Sequence, residues 1–265
     1  MPSRLDFGIQ IARQTGQLLL EYFDSSDLHA SIKKDHSIVT EADLAADQLI
    51  TEAIQKQYPK DRILSEELNT NFVFTDDAPS SMVWVVDPLD GTTNFSLGLH
   101  YWGVSLACLM NGWPQTAVLY FPSIDELYYA QQGQGAYLNG HPLHVKAFEA
   151  TKLQPFFACC SRTHQQYHVS IPYKTRILGS AAYTFCAVGR GTAILGFEAT
   201  PKIWDLAAAW LVVQEAGGVI ETHNNSQPFP LQAGVDYAHK DFPTLAAATQ
   251  GLIDKGRQHI TPKKP

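Results

Sequence analysis

The chain has 265 residues and a mass of 29.3 kDa, which at roughly 150 residues per domain allows one large domain or two small ones. Hydrophobic residues supply 45% and charged residues 17%, a balance that predicts a globular protein with a sizeable core and excludes a disordered chain. Nineteen Lys and Arg against 26 Asp and Glu leave a net charge of −7; this argues against non-specific binding of a nucleic-acid polymer, which needs a basic face, but not against a small anionic substrate, because bound cations reverse a local field. No apolar run approaches the roughly 18 residues of a membrane span. The first residues, MPSRLDFGIQIAR, lack a basic segment followed by an apolar stretch, so no secretory signal is expected. Cys108, Cys159, Cys160 and Cys186 show no metal-type spacing and read as reduced thiols of a cytoplasmic protein.

Residues 5–23 place Leu5, Ile9, Ala12, Gly16, Leu19, Leu20 and Phe23 on one face at spacings of three and four, which predicts an amphipathic helix. The polar stretch 25–39 suits a loop or a short hairpin. Thr40 is a good N-cap for a second helix running to about Gln57, ended by Tyr58-Pro59. Arg62 to Ser65 reads as a short strand leading to Glu66-Glu67, and 69–81 as a loop. Met82 to Val86 is the best candidate for a fully buried strand. Segments 101–110, 115–121 and 126–130, separated by Asn111-Gly112, then Gly133 to Gly135 and Asn139-Gly140, predict an antiparallel meander. From about 150 the texture changes to strands near 156–160, 175–178 and 193–197 alternating with helices over 181–190 and 204–216, the last ended by Gly217-Gly218. The terminal Lys263-Lys264-Pro265 is expected to fray.

The chemistry concentrates in Asp87-Pro88-Leu89-Asp90-Gly91-Thr92-Thr93-Asn94-Phe95. Two carboxylates three residues apart leave the expected buried strand together. Pro88 stiffens the turn and Gly91 lets the backbone approach a ligand. Hard oxygen ligands from Asp87, Asp90 and an intervening carbonyl suit Mg²⁺, and a helix opening at Gly91-Thr92 would aim free N–H groups at a phosphate. The plainer reading is an Asp-Pro turn followed by an Asp cap. Ser65-Glu66-Glu67 presents carboxylates at another strand end, and Asp205 in Trp204-Asp205 opens a long helix. Each of these alone is more often solvated charge or capping. Gathered into one pocket, Glu66, Asp87, Asp90 and Asp205 would repel one another unless cations are bound.

The motif Asp87 to Phe95, together with Trp204-Asp205-Leu-Ala-Ala-Ala and Glu215-Ala-Gly-Gly218, resembles the inositol monophosphatase family of Mg²⁺-dependent, lithium-sensitive phosphatases. Val39-Thr-Glu-Ala-Asp43 resembles its V-T-x-x-D segment and Leu64-Ser-Glu-Glu67 its G-E-E segment. The five motifs stand in family order from about residue 5 to 250. The resemblance implies an α+β fold, a five-layer αβαβα sandwich in one compact unit. Its N-terminal half, 1–150, would carry most metal ligands and its C-terminal half, 151–265, the substrate-side residues. The resemblance further implies a homodimer, and a phosphate monoester hydrolase acting on a small polyol or sugar phosphate by direct attack of metal-activated water, with inositol monophosphate the first choice. Glu66, Asp87, the Leu89 carbonyl, Asp90 and Asp205 would ligate two or three Mg²⁺. Asp43, Glu66 and Thr92 would orient and deprotonate the water. Asp90 and the Gly91 and Thr92 backbone would face the phosphate, Glu198 would bind substrate hydroxyls, and Gly179, Ser180 and Ala181 would form a second substrate-side segment.

The sequence departs from the family at Ser65, which stands where the family has Gly, and the catalytic-loop lysine matches either Lys33 or Lys34. Lys202 falls near the implied leaving-group side and otherwise reads as a surface lysine. Fructose 1,6-bisphosphate, 3′-phosphoadenosine 5′-phosphate and histidinol phosphate are alternative substrates; Ser161-Arg162-Thr163-His164 resembles the nucleotide-acting members, with Arg162 then serving a second phosphate. A haloacid dehalogenase-type phosphatase needs a D-x-D spacing and a nucleophilic first Asp, one residue shorter than the spacing found. A catalytically silent regulatory or binding protein with the same fold is the alternative of another class. His141, His144, His164 and His168 lie on polar segments without a ligand-type helical spacing and read as surface residues. Gly189-Arg-Gly191 reads as a turn, and no dinucleotide, P-loop or nucleophile-elbow motif occurs.

Overall fold

The computed structural model describes residues 2–25, 30–32, 38–68, 70, 82–145, 156–232 and 234–263. Helix α1 (Arg4–Phe23) is capped by Ser3 and buries Phe7, Ile11, Ala12, Gly16 and Leu19; of the face that the periodicity marks, Ala12, Gly16 and Leu19 are buried, while Leu5, Ile9, Leu20 and Phe23 pack at its border, only partly buried. Strands β1 (Ala30–Ile32) and β2 (Ile38–Thr40) pair antiparallel, the hairpin alternative for 25–39. Thr40 caps α2 (Glu41–Gln57) in a reciprocal capping box with Asp43. Strand β3 (Arg62–Ser65) runs parallel to β4 (Met82–Asp90).

The structure corrects the expected end of the buried strand. The buried strand does not stop at Val86. It runs through Asp90, with Asp87 opposite Ser105 and Asp90 opposite Gly103, and the ladder is irregular between them. Pro88 has no N–H to give to that ladder, so the strand bulges there and stays in the sheet. The loop reading of 69–81 lies, apart from residue 70, outside the described residues, as do Lys33, Lys34 and the joint near 150.

A short helix α3 (Thr92–Ser96) follows, then β5 (Gly103–Met110), β6 (Trp113–Phe121), β7 (Glu126–Gln131), β8 (Ala136–Leu138) and β9 (His141–Leu143). These complete a seven-stranded sheet in the order β3-β4-β5-β6-β7-β8-β9, antiparallel after β4. The chain continues as β10 (Phe156–Cys159), α4 (Ser161–Gln166), β11 (Tyr167–Val169), β12 (Thr175–Ile177), α5 (Ala181–Gly189), β13 (Ala193–Glu198), α6 (Ile203–Glu215), β14 (Val219–Thr222), β15 (Thr244–Ala247), α7 (Gln250–His259) and β16 (Ile260–Pro262). A five-stranded sheet has the order β12-β10-β13-β15-β14, parallel across its first three strands and antiparallel beyond. The C-terminus does not fray at Lys263. Its N–H donates to Gln166 O at 2.8 Å, continuing the β11–β16 pair.

The elements stack as α1 and α2, the seven-stranded sheet, α5 and α6, the five-stranded sheet, then α7. This is the αβαβα sandwich. Strand period two builds it: Trp84 and Val86 join the cluster under α1 and α2, whereas Val83 and Val85 join the cluster with α5 and α6. Helix α6 lies between the two sheets, touching β4 to β7 on one side and β14 on the other. It is therefore apolar nearly all round, with Ile203, Leu206, Ala207, Ala208, Ala209, Val212 and Val213 fully buried. At its far end the Glu215 carboxylate accepts the Gly133 and Gly135 N–H groups, both at 2.8 Å. All four cysteines are free thiols; Cys108, Cys159 and Cys186 are buried and Cys160 is partly so. His141, His144, His164 and His168 are exposed. Among the described residues no helix is long and apolar enough to cross a membrane.

Phe185 is fully buried in the middle layer. Phe185→Ala should cost about 3–5 kcal/mol of unfolding free energy, read as a lowered denaturant midpoint, whereas exposed Leu44→Ala should move the midpoint little.

Candidate active site

Asp87 continues the face of β4 that Val83 and Val85 turn toward α6, so it looks at the N-terminus of that helix, where Asp205 sits. The bulge then re-aims Asp90 into the same space. Ligand oxygens of Asp87, Asp90 and Asp205 all lie within 4.8 Å of one another. Glu66 follows β3 next to β4, its N–H donating to Val86 O at 3.2 Å. It stands outside that three-residue group, yet close enough that its charge is the strongest of the neighbouring charges acting on Asp87.

Each carboxylate has its own support. Asp87 Oδ1 accepts the Leu89 N–H at 3.0 Å. Asp90 accepts the Ala181 and Ala182 N–H groups at 3.1 and 3.0 Å and the Ser180 hydroxyl, so the first turn of α5 closes on it. Asp205 accepts the Lys202 N–H at 2.7 Å as the third residue of α6. Asn94 ties the segment at Tyr101 to the one that leads into Gly179. Its amide donates to Tyr101 O at 2.6 Å and to Leu178 O at 2.8 Å. Gly179 packs so tightly on Asn94 that a Cβ there would sit 2.5 Å from its Oδ1, and its φ is +77°. Gly91, with φ +89°, is equally committed: a Cβ would meet Tyr101 O at 2.8 Å.

Thr92, at the start of α3, has its Oγ1 3.0 Å from both Asp43 Oδ1 and Leu89 O. Asp43 is buried, and its Oδ2 accepts the Thr40 N–H and hydroxyl at 2.8 and 2.5 Å. The capping box of α2 thus doubles as the mount for the Thr92–Asp43 pair. Glu198, at the end of β13, is buried; it contacts Thr184 and Cys160 and feels the charges of Asp90 and Asp205. Cys160 Sγ also accepts the Ala199 N–H at 3.3 Å. Arg162 Nη1 donates to Thr200 at 3.2 Å, and Lys202 Nζ pairs with Asp241 at 2.9 Å.

The electrostatics follow from burial and like charge. Burial pushes Asp90 up to about 7, Asp205 adding to the rise and the Ser180 hydroxyl opposing it. Asp87 lies well above the usual carboxylate range, first through burial and then through Glu66, Asp90 and Asp205. Asp205 is raised chiefly by burial, and Glu198 reaches about 8 for the same reason. Asp87 Oδ2 is buried and no hydrogen-bond donor reaches it. The neighbouring carboxylates raise its affinity for a proton further. A buried, donor-free carboxylate oxygen facing two further carboxylates is what a divalent cation with oxygen ligands requires; the residues fit Mg²⁺.

The structure therefore brings together Glu66, Asp87, Asp90 and Asp205, and beside them Asp43, Leu89, Gly91, Thr92, Gly179, Ser180, Ala181 and Glu198. Sequence reasoning missed the Ala182 N–H, the bridging amide of Asn94 and the contact of Cys160 with Glu198. Asn94 stood inside the motif, but its partners lie at 101 and 178, where nothing local points to them.

The inositol monophosphatase family model matches residues 2–258, and the chain belongs to that family. It is 32% identical over 246 residues to the Nus factor SuhB of Escherichia coli (strain K12), covering 89% of this chain and 91% of that protein. It is 33% identical over 228 residues to the fructose-1,6-bisphosphatase/inositol-1-monophosphatase of Thermotoga maritima, covering 82% and 84%. The solved structure of a Thermotoga maritima IMPase superposes with a TM-score of 0.77 at 29% identity, covering 96% of this chain and 95% of that one.

The shifted carboxyls make a signed prediction. Asp90 binds its proton up to about 7 in the folded state but only up to about 4 when unfolded. Without metal, this group's contribution to stability is therefore greatest below about pH 4 and is lost as pH rises through about 7. Mg²⁺ should oppose that loss, so its stabilisation of the fold in urea should grow with pH across this window. A Mg²⁺ effect of equal size at both ends would refute the assignment of these acids to a metal centre.

Proposed function

We propose that the chain is a Mg²⁺-dependent phosphate monoester hydrolase acting on a small polyol or sugar phosphate, with inositol monophosphate the first choice. The observation that carries this reading is the convergence of the oxygens of buried Asp87 and Asp90 and partly buried Asp205 beside the Gly91–Thr92 turn. In this reading Glu66, Asp87, the Leu89 carbonyl, Asp90 and Asp205 hold the ions. Bound Mg²⁺ would neutralise phosphate charge and lower the pKa of a coordinated water.

The chain's own groups do the rest. The Gly91 and Thr92 backbone N–H groups hold phosphate oxygens. Thr92, handing its hydroxyl proton toward Asp43 Oδ1, turns a lone pair to the attacking water and orients it; Glu66 takes part in removing the water's proton. Water adds its oxygen to phosphorus, the ester oxygen leaves with a proton, and the products are phosphate and the alcohol. Glu198 offers its carboxyl to substrate hydroxyls, supported by Thr184 and Cys160. Gly179, Ser180 and Ala181 shape the same side through their grip on Asp90. The halves 1–150 and 151–265 act as one unit, the first supplying Glu66 to Thr92 and the second Glu198 and Asp205. Lithium inhibition and a cytoplasmic location belong to the same reading.

A second reading, a catalytically silent regulatory protein on the same fold, is kept open by the name of the Escherichia coli relative, a Nus factor. Phosphate release from inositol monophosphate, fructose 1,6-bisphosphate, 3′-phosphoadenosine 5′-phosphate and histidinol phosphate, with and without Mg²⁺, separates the readings. The hydrolase should turn over at least one of them with Mg²⁺ only. Asp90→Asn should lower kcat by orders of magnitude with an unchanged circular dichroism spectrum, and Thr92→Ala by about a hundredfold or more. Near-normal turnover in Asp90→Asn would defeat the assignment.

The homodimer belongs to this proposal as well. Leu97, Leu99, Tyr101 and Ile177 are large, apolar and exposed, and Leu99, Tyr101 and Ile177 line one hollow with Ile124 and Leu178. In this reading a second copy of the chain covers the patch, which would remove its apolar surface from water. Light scattering should give twice the chain mass for the natural protein and a lower mass for the double substitution Leu99→Lys, Ile177→Lys; a monomeric natural protein would rule this out.

A further inference from the structure

Asp47 is a carboxylate with no exposed surface, one turn beyond Asp43 on α2, and the proposed reaction makes no use of it. A buried acid persists only where its oxygens are satisfied. Here the partners are specific. Oδ1 accepts the Thr51 hydroxyl at 2.9 Å, within the same helix. Oδ2 accepts two backbone N–H groups from another segment, those of Glu67 at 3.2 Å and Leu68 at 3.1 Å. These amides immediately follow Glu66, whose own N–H is held by Val86 O of β4. Glu66 is thus gripped from both sides, by the strand that carries Asp87 and by the helix that carries Asp43. Residues four apart on a helix share a face, so a single face of α2 mounts Asp43 against Thr92 and Asp47 against the Glu66 segment.

We propose that Asp47 is a positioning residue of the divalent-metal centre: by accepting the Glu67 and Leu68 amides it sets the Glu66 carboxylate against Asp87 and so sets the affinity for the ion. The inference rests on the reading above only in needing Glu66 to take part in holding Mg²⁺; it does not need turnover. What matters is the acceptor oxygen, not the negative charge. An Asn at position 47 could keep its Oδ1 on the two amides and give its NH₂ to the Thr51 oxygen, preserving the clasp without the charge.

The test is calorimetric titration of the full chain with Mg²⁺, together with the Mg²⁺ dependence of phosphate release. Asp47→Ala is expected to weaken Mg²⁺ binding by about 10–100-fold. It should raise the Mg²⁺ concentration for half-maximal rate by the same factor, with kcat at saturating Mg²⁺ little changed. Asp47→Asn is expected to stay close to the natural protein in both. Folded Asp47→Ala with natural Mg²⁺ affinity would overturn the proposal, and so would Asp47→Asn as weak as Asp47→Ala, since charge rather than the clasp would then be acting. Should Asp47→Ala fail to fold, Leu68→Pro removes one of the two donors from an exposed residue; it should weaken Mg²⁺ binding severalfold, and unchanged affinity would overturn the proposal. A natural protein that binds Mg²⁺ but hydrolyses no monoester would end the hydrolase reading while the calorimetric comparison still decides the role of Asp47.

Discussion

Mutual repulsion among buried carboxylates is the constraint around which this molecule is arranged. Two unit charges separated by 4.8 Å, the span of the Asp87, Asp90 and Asp205 oxygens, repel by about 3.5 kcal/mol at an effective dielectric constant of about 20. Three such pairs together approach the whole folding free energy of a typical domain, about 5–15 kcal/mol. The group therefore cannot be fully ionised on its own. Protons or a cation must occupy it, and no hydrogen-bond donor of the protein reaches Asp87 Oδ2 to share the task. A solvated acidic surface has no comparable demand, because water would satisfy each oxygen separately.

The layered fold meets the constraint with backbone dipoles as well. The middle layer directs the N-termini of both α5 and α6 at the acids. The Ala181 and Ala182 amides reach Asp90, and the Lys202 amide reaches Asp205. Helix N-termini carry partial positive charge, so the layer that joins the two sheets also offsets part of the repulsion between them. The other side of the site is mounted differently. Strand β4 presents Asp87 and Asp90 by bulging at Pro88 without leaving the sheet, and α2 presents Asp43 through a capping box that would be ordinary elsewhere. Local devices that normally finish a helix or bend a strand here fix buried carboxylates to rigid elements.

Much of this was legible along the chain. Helices α1, α2, α5 and α6 were readable because their apolar spacing and their ends, such as Thr40 or Gly217, are local signals. The meander from β5 to β7 was readable because Asn111-Gly112 and the glycines near 133 punctuate apolar runs. What escaped, besides the ten-residue helix α7, were short elements that exist only through distant partners. Strand β11 is three residues long and is paired by β16, about ninety residues later. Helix α4 is one polar turn and a half. Strands β14 and β15 pair with each other across a long connection, and β15 inserts beside β13. None of these carries a periodic pattern long enough to stand out, and the sheet order β12-β10-β13-β15-β14 depends on which edges met during packing.

The same division runs through the site. Residue chemistry and spacing marked Glu66, Asp87, Asp90, Asp205 and the Gly91–Thr92 turn as candidates, because hard oxygen ligands suit a divalent cation and a helix start suits an anion; the roles of Asp43 and of the Thr92 hydroxyl came from the family resemblance. The directions in which the side chains point were a different matter. That Asp205 meets Asp87, that Asn94 bridges Tyr101 to Leu178, and that Asp47 braces the segment of Glu66 all follow from layers stacking across separations of 20 to more than 100 residues. Local sequence specifies dihedral preference and hydrophobic face. Only the close packing of the sheets against α5 and α6 specifies which buried polar atoms are left facing one another.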